Sequence, residues 1–411
     1  MKEPASTGRG QKPLSKSNPA RPPVEFLKTG EARLLPKAVE ISGVESLIRA
    51  MLGKHKTPFM LIRKSVLEKQ FARFKKALPE VTPYYAIKAN PHPKIVKTFA
   101  ELGASFDVAS AAEMKSVLKH GVSPGRIIFA NTIKSKEDLI TARRRRVRLM
   151  TFDNEAELYK IAENFPKAHV IVRIKVANRG SVVQLSLKFG AEPDQAFYLL
   201  RKAKSLGLVP KGVSFHVGSQ STNVENYLQA LELTANIFRE AKENDMPLRI
   251  VDIGGGFPIQ HFENEIGINF ERMAAEIRKQ MKALFSKQIE FIADPGRFFP
   301  GPAGVLVTQV IGRAFRDNQN FYYLNDGVYQ DFSGMVFDHC KYEFKTLRRG
   351  PKYKSALAGP TCDSLDILST SEELPELYAG DVVYAKNIGA YSSASAVPNF
   401  NGFEPAKIIL V

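Results

Sequence analysis

From about residue 58 the chain alternates short β-branched and aromatic runs with longer stretches whose apolar residues recur at helical spacing. The run FMLI at 59–62 leads into a helical stretch ending near Leu78. Eight strand–helix units follow, with strands that read YYAIKA, SFDVA, RIIFAN, RLMTFD, VIVRIK, GVSFHVG, RIVDIGG and IEFIADP. Amphipathic segments such as NEAELYKIAENF and NYLQALELTANIFREAKEN lie between them. Eight units of this regularity favour a (β/α)8 TIM-like barrel over an open doubly wound sheet. After Pro300 the texture changes. AGVLVTQVIGRAF, NFYYLND, DVVYAKNI and AKIILV are separated by Gly, Asn and Asp turns, which predicts a second, mostly antiparallel β domain. The division expected is a disordered basic tail over 1–30, a barrel over 58–300, and a β-rich domain formed by 301–411 with 31–57. The last segment precedes the barrel and has no strand–helix unit of its own.

Composition adds limits. With 411 residues the chain exceeds one ordinary core. No apolar run reaches the roughly 18 residues of a membrane span, and no apolar h-region opens the chain, so a cytoplasmic protein with no membrane partner is expected. Two cysteines, Cys340 and Cys362, supply neither a disulfide framework nor a structural zinc site, and no metal is expected. The formal charge is +17. It is concentrated in the tail and in RRRR at 143–146, late in a predicted helix. Those arginines suit the negative end of a helix dipole. An anionic partner is the other reading, but no aromatic interleaving or nucleic-acid motif accompanies them, and no nucleic acid is expected.

The chemistry gathers where a barrel places it, at the C-terminal ends of the strands. Lys88 ends the first strand, where a side chain could snorkel outward or could stay dry for covalent chemistry. Asp107 ends the second strand, Arg173 lies in the fifth and His216 near the end of the sixth. Gly254, Gly255 and Gly256 follow the seventh, and Asp294, Gly296 and Arg297 follow the eighth. Each alone reads as a cap or a turn; their joint placement on one rim points to function. Barrels of this kind often bind phosphate with the loops after strands 7 and 8. A glycine triplet there admits backbone N–H groups to an anion, and Arg297 adds a bidentate contact. A strand-end lysine, a phosphate cradle and an acid together suit pyridoxal 5'-phosphate (PLP).

At these residues the chain resembles the fold-type III PLP-dependent decarboxylases, particularly the ornithine and lysine/ornithine decarboxylase branch. The likeness runs from about residue 35 to the C-terminus through YYAIKAN, FDVAS, FHVGSQ, DIGGGFP, DPGRF, YYLNDGVY, FDH, GPTCDSLD and GAYSSASAVPNFNGF. It implies that Lys88 forms the Schiff base, that Asp107 and Arg173 lie near the lysine and ring, and that His216 stacks on the ring. Ser219, the glycine triplet, Gly296, Arg297 and Tyr391 are implied as cofactor contacts, most of them to the phosphate. Asp294 stands where the family usually has glutamate. Cys362 and Asp363 match residues donated across a homodimer interface, with Cys362 the candidate proton donor. Asp338 matches an acid that receives the distal amine of the substrate, and Tyr329 joins the same pocket.

The resemblance thus implies decarboxylation of a basic amino acid, ornithine ahead of lysine, in polyamine biosynthesis. CDSLD argues against the diaminopimelate decarboxylase branch, whose counterpart typically begins with glutamate. A catalytically silent homologue that binds a regulator is the reading from a different class; such relatives lose the lysine or the cofactor contacts, which are present here.

Overall fold

Runs that are apolar without a break read as strands covered on both faces, and in the computed structural model they form two sheets. Residues 43–182, 188–262 and 269–411 are described. The tail expected over 1–30 lies outside them.

The first strand, β1 (Phe59–Ile62), is completely buried. The next eight are β2 (Val81–Ala86), β3 (Ser105–Val108), β4 (Ile127–Phe129), β5 (Leu149–Phe152), β6 (His169–Ile174), β7 (Val209–Phe215), β8 (Ile250–Asp252) and β9 (Glu290–Ala293). They pair in parallel in chain order, and β2 pairs with β9 to close the barrel. Helices follow the strands, each burying an apolar stripe. Their ends carry the expected chemistry: Ser135 Oγ accepts the Asp138 N–H (3.0 Å) at the start of helix Lys136–Arg145. Arg146 closes that helix in the left-handed region (φ 62°), which puts the four arginines at its C-terminal end.

Strand alternation explains how the barrel holds its site. Tyr84, Ile128, Ile171, Ile250 and Ile292 form one small apolar cluster, separate from the large core shared with the helices. Two residues further along the same strand face stand Arg173 after Ile171 and Asp252 after Ile250, with Asp294 following Ile292 off the end of β9. Apolar floor and polar rim are therefore one pattern with a period of two. Beside the rim lies a buried ion pair. Lys134 Nζ reaches Glu157 Oε1 (3.0 Å) and the carbonyls of Thr151 (2.7 Å), Asn131 (3.0 Å) and Thr132 (3.3 Å). It ties the C-terminal ends of β4 and β5 to helix Glu155–Asn164.

The second sheet contains β10 (Gly304–Arg316), β11 (Gln319–Leu324), β12 (Phe344–Thr346), β13 (Lys352–Ala358), β14 (Ile367–Pro375), β15 (Val382–Lys386) and β16 (Lys407–Leu410). Its order is β12-β15-β10-β11-β13-β14, and all of these pairs are antiparallel except β11 with β13. The sheet also takes in β1, antiparallel to β10 and parallel to β16. This corrects the boundary expected at residue 58: FMLI belongs to the second sheet. Its hydrophobicity could not choose, because a doubly covered strand reads the same in either sheet. In the stretch 31–57 the described part is a helix, Gly43–Leu52, and no strand.

Candidate active site

Lys88 sits in a single 3-10 turn, Ile87–Ala89, directly after β2. Its Nζ lies 2.7 Å from Asp107 Oδ2. Its side chain is 49% exposed, yet enough protein surrounds the ammonium that burial works against its charge. The Asp107 carboxylate, hydrogen-bonded to it, outweighs burial and holds the ammonium above its ordinary value. Asp107 is 2% exposed, and its Oδ1 has no partner among the described residues.

His216 follows β7. Its Nδ1 accepts the Gly218 N–H at 3.0 Å, so in the neutral ring the proton is on Nε2. Burial, then the cations Arg173 and Lys88, push the imidazole well below its usual range, which keeps it neutral. Next to it lies the glycine turn. Gly254 has φ +67°, and a Cβ there would come within 2.1 Å of the Phe215 carbonyl oxygen. Gly256 has φ +99°, and its Cβ would meet the Gly218 carbonyl oxygen at 2.3 Å. Only glycine fits either place. Gly255 packs against Asp294 and His216, and Gly296 against the Tyr391 hydroxyl.

Arg297 is 4% exposed; its guanidinium stacks on the Tyr391 ring (4.8 Å) and pairs with Asp338, while its Nε is buried and unbonded among the described residues. The Tyr391 N–H donates to the Ala89 carbonyl (2.9 Å), which pins this part of the chain beside Lys88.

Asp294 opens onto the cavity with its Oδ1 buried and unbonded among the described residues. Burial, then the nearby charges of Asp252 and Asp107, raise its carboxyl well above the usual range. The neighbour is Asp252, which accepts from Ser214 Oγ (3.0 Å) and from the Gly254 N–H (2.9 Å). Burial and mutual repulsion raise both carboxyls, which favours one proton shared between Asp252 and Asp294.

Of the residues singled out in the sequence, Lys88, His216, Ser219, Gly256, Asp294, Gly296, Arg297, Asp338 and Tyr391 line one cavity of about 170 Å³. Asp107, Gly254 and Gly255 adjoin it through the contacts above. Arg173 does not line it; its charge acts on Asp252 and Asp294 from the barrel, and its guanidinium stacks on Phe189 (5.2 Å). Cys362, Asp363 and Tyr329 are absent from the lining and form a second cluster. There the Tyr329 hydroxyl donates to Asp363 Oδ2 (2.7 Å), and Cys362 is exposed.

Sequence reasoning passed over Asp252, Gln220 and Phe257. Gln220 and Phe257 line the cavity, and the Gln220 amide exchanges two 2.9 Å hydrogen bonds with Ile259. Asp252 had a readable signal, its two-residue step from Ile250.

Residues 64–301 match the family described as pyridoxal-dependent decarboxylase, pyridoxal binding domain. The chain is 38% identical over 366 residues to a lysine/ornithine decarboxylase of Selenomonas ruminantium, covering 89% of this chain and 92% of that protein. It is 40% identical over 354 residues to antizyme inhibitor 2 of Xenopus laevis, covering 82% and 77%. Among solved structures, the Paramecium bursaria Chlorella virus arginine decarboxylase bound to agmatine aligns with a TM-score of 0.84 at 36% identity, covering 89% of this chain and 100% of that one.

Proposed function

The chain belongs to the pyridoxal-dependent decarboxylases, and from that premise we propose that it removes the α-carboxylate of a basic amino acid, L-ornithine ahead of L-lysine, at the cavity around Lys88. It is a PLP-dependent amino-acid decarboxylase. The observation that carries the site assignment is the gathering of Lys88, the glycine turn, Arg297 and Asp294 on one cavity.

These residues fit the cofactor. The glycine turn leaves no room for side chains where a phosphate would meet backbone N–H groups. On the same cavity, Arg297 has a buried Nε and Asp294 a buried Oδ1 with no partner among the described residues. When bound, PLP supplies a conjugated ring, protonated at its nitrogen, that takes up the electron pair released with carbon dioxide.

The side chains do the rest. Lys88 would hold the cofactor covalently through its amine, and Asp107 holds the lysine in place. Ser219, the glycine turn, Arg297 and Tyr391 grip the phosphate. Asp294 keeps a proton at the ring nitrogen; its raised carboxyl brings that proton to the site. The neutral His216 would stack on the ring of the bound cofactor, and Arg173 balances the buried acids nearby. Asp338 and Asp363 give the distal ammonium of the substrate a negative pocket, with Tyr329 orienting Asp363. Cys362 returns a proton from its sulfur to the substrate α-carbon.

Because Cys362, Asp363 and Tyr329 lie off the cavity, the reading makes the enzyme a homodimer in which one subunit completes the other's site. It also takes the enzyme to be cytoplasmic, where the exposed Cys362 thiol stays reduced. Two relatives are named for lysine, ornithine or arginine, all with a cationic side chain. Ornithine and lysine differ by one methylene, a preference of about 1–3 kcal/mol.

The second reading follows the antizyme inhibitor at 40% identity: a protein that binds a regulator and has no turnover. Two measurements separate them. The first is the visible absorbance of the purified protein before and after borohydride; the second is carbon dioxide release from ornithine, lysine, arginine and meso-diaminopimelate. Absorbance that borohydride bleaches, with release from ornithine or lysine, supports the enzyme. Neither signal, in the presence of added PLP, overturns it.

A further inference from the structure

We infer that Asn401 is a positioning residue that holds Cys362 as a protonated thiol; the inference rests on Cys362 being the proton donor. The Cys362 backbone N–H donates to Asn401 Oδ1 at 3.1 Å, and Cys362 Sγ lies 3.4 Å from the same oxygen. A backbone N–H can only donate, so the amide atom turned toward Cys362 is its carbonyl oxygen and not its nitrogen. That oxygen has no hydrogen to give. The sulfur beside it must therefore be the donor, an S–H. A thiolate in the same place would face the negative end of the amide dipole and be repelled. A hydrogen bond to the neutral form disfavours the charged one.

The local backbone is arranged for this contact. Asn401 has φ 50° and ψ 19°, left-handed values that asparagine tolerates better than most residues. Its neighbour Phe400 stacks on Tyr329 (4.0 Å between centroids, 17° between planes), and Tyr329 in turn holds Asp363. The turn 400–402 thus meets Cys362 directly through Asn401 and is tied to Asp363 through Tyr329. In turnover the sulfur loses its proton to the substrate carbon and is left as a thiolate next to the Asn401 oxygen. That contact favours return of a proton from solvent before the next cycle.

The two cysteines make the test specific, because Cys340 is buried and Cys362 exposed. Iodoacetamide alkylation of the native holoenzyme at one fixed pH reads the thiolate at Cys362, with Cys362→Ala as the background. Asn401→Ala should speed alkylation roughly three- to tenfold, the span of one modest hydrogen bond. Asn401→Gly, which keeps the left-handed backbone without strain, should do the same. Asn401→Asp should slow it, since a carboxylate beside the sulfur suppresses the thiolate. A purely structural role would move the Ala and Asp variants in the same direction. That pattern, or an Asn401→Gly rate equal to the parent's, overturns the inference. Alkylation does not depend on turnover, so failure of the decarboxylase reading would leave this readout intact and show itself only in carbon dioxide release.

Discussion

Replacing Glu157 by glutamine would strand a charge, because the Lys134 and Glu157 side chains are 0% and 1% exposed. Breaking a buried pair in this way usually costs about 3–5 kcal/mol. The structure sets a lower ceiling. Burial, opposed by Glu157, already pushes the Lys134 ammonium down from 10.5 to about 8. At pH 7 that shift destabilises the parent by about 3 kcal/mol, at about 1.4 kcal/mol per pH unit. Without Glu157, the amine simply sheds its proton on folding. Full neutralisation at pH 7 costs about 5 kcal/mol on the same scale. The loss is therefore the difference, about 1–2 kcal/mol. Its sign with pH follows from a lowered base: between about 8 and 10.5 the unfolded chain holds a proton that the folded chain has released. Stability of the parent should therefore rise across that window, and the variant's deficit should fade to zero as the pH passes about 8, because the parent's amine is then neutral as well. Urea unfolding followed by circular dichroism at pH 7 and pH 10, with PLP saturating, measures both. A deficit of about 4 kcal/mol or more at pH 7, or one unchanged at pH 10, would refute the reasoning, since deprotonation would then not be limiting the cost.

Three further outcomes concern the site. Asp294→Asn removes the ionisable group and keeps the shape, so kcat should fall at least tenfold while KM and the PLP dissociation constant stay near the parent's; a kcat within about twofold would mean that another group partners the ring nitrogen. Gly254→Ala sets a methyl against the Phe215 carbonyl at a left-handed φ, and PLP titration should show at least a tenfold loss of affinity, whereas parent-like binding would place the phosphate elsewhere. Mixing inactive Lys88→Ala with inactive Cys362→Ala chains should restore activity through heterodimers holding one intact site; no recovery after verified subunit exchange would mean that each site is built within one chain.

What could be read from sequence followed the physics of each element. The barrel strands were legible because buried parallel strands are almost uniformly apolar and helical spacing separates them. In the second sheet β10, β11, β15 and β16 were legible, while β13 and β14 were not. KYKSALA and ILSTSEELP mix exposed polar with buried apolar positions and imitate loops. For the site, strand ends were the guide, and Lys88, His216, the glycine turn, Asp294 and Arg297 stand there together. Asp252 opens the DIGGGFP run at the end of β8 and was passed over because its importance lies in a neighbour, Asp294, from another strand. Asn401 escaped for the same reason, since its contact with Cys362 joins two segments far apart in the chain.

The place of β1 also bears on how the protein is made. Its four residues are finished before any barrel strand, yet its two partners, β10 and β16, come after all of them. The barrel can close while the rest is still being translated, because β2 to β9 need no later strand. Meanwhile β1 waits as a wholly apolar ribbon with both edges unpaired, an invitation to aggregation. The Val411 N–H donates to the Ile62 carbonyl (2.9 Å), which carries this seam one residue past β16. Removing β16 would leave the chemistry of the rim untouched and appear as poor yield of soluble protein.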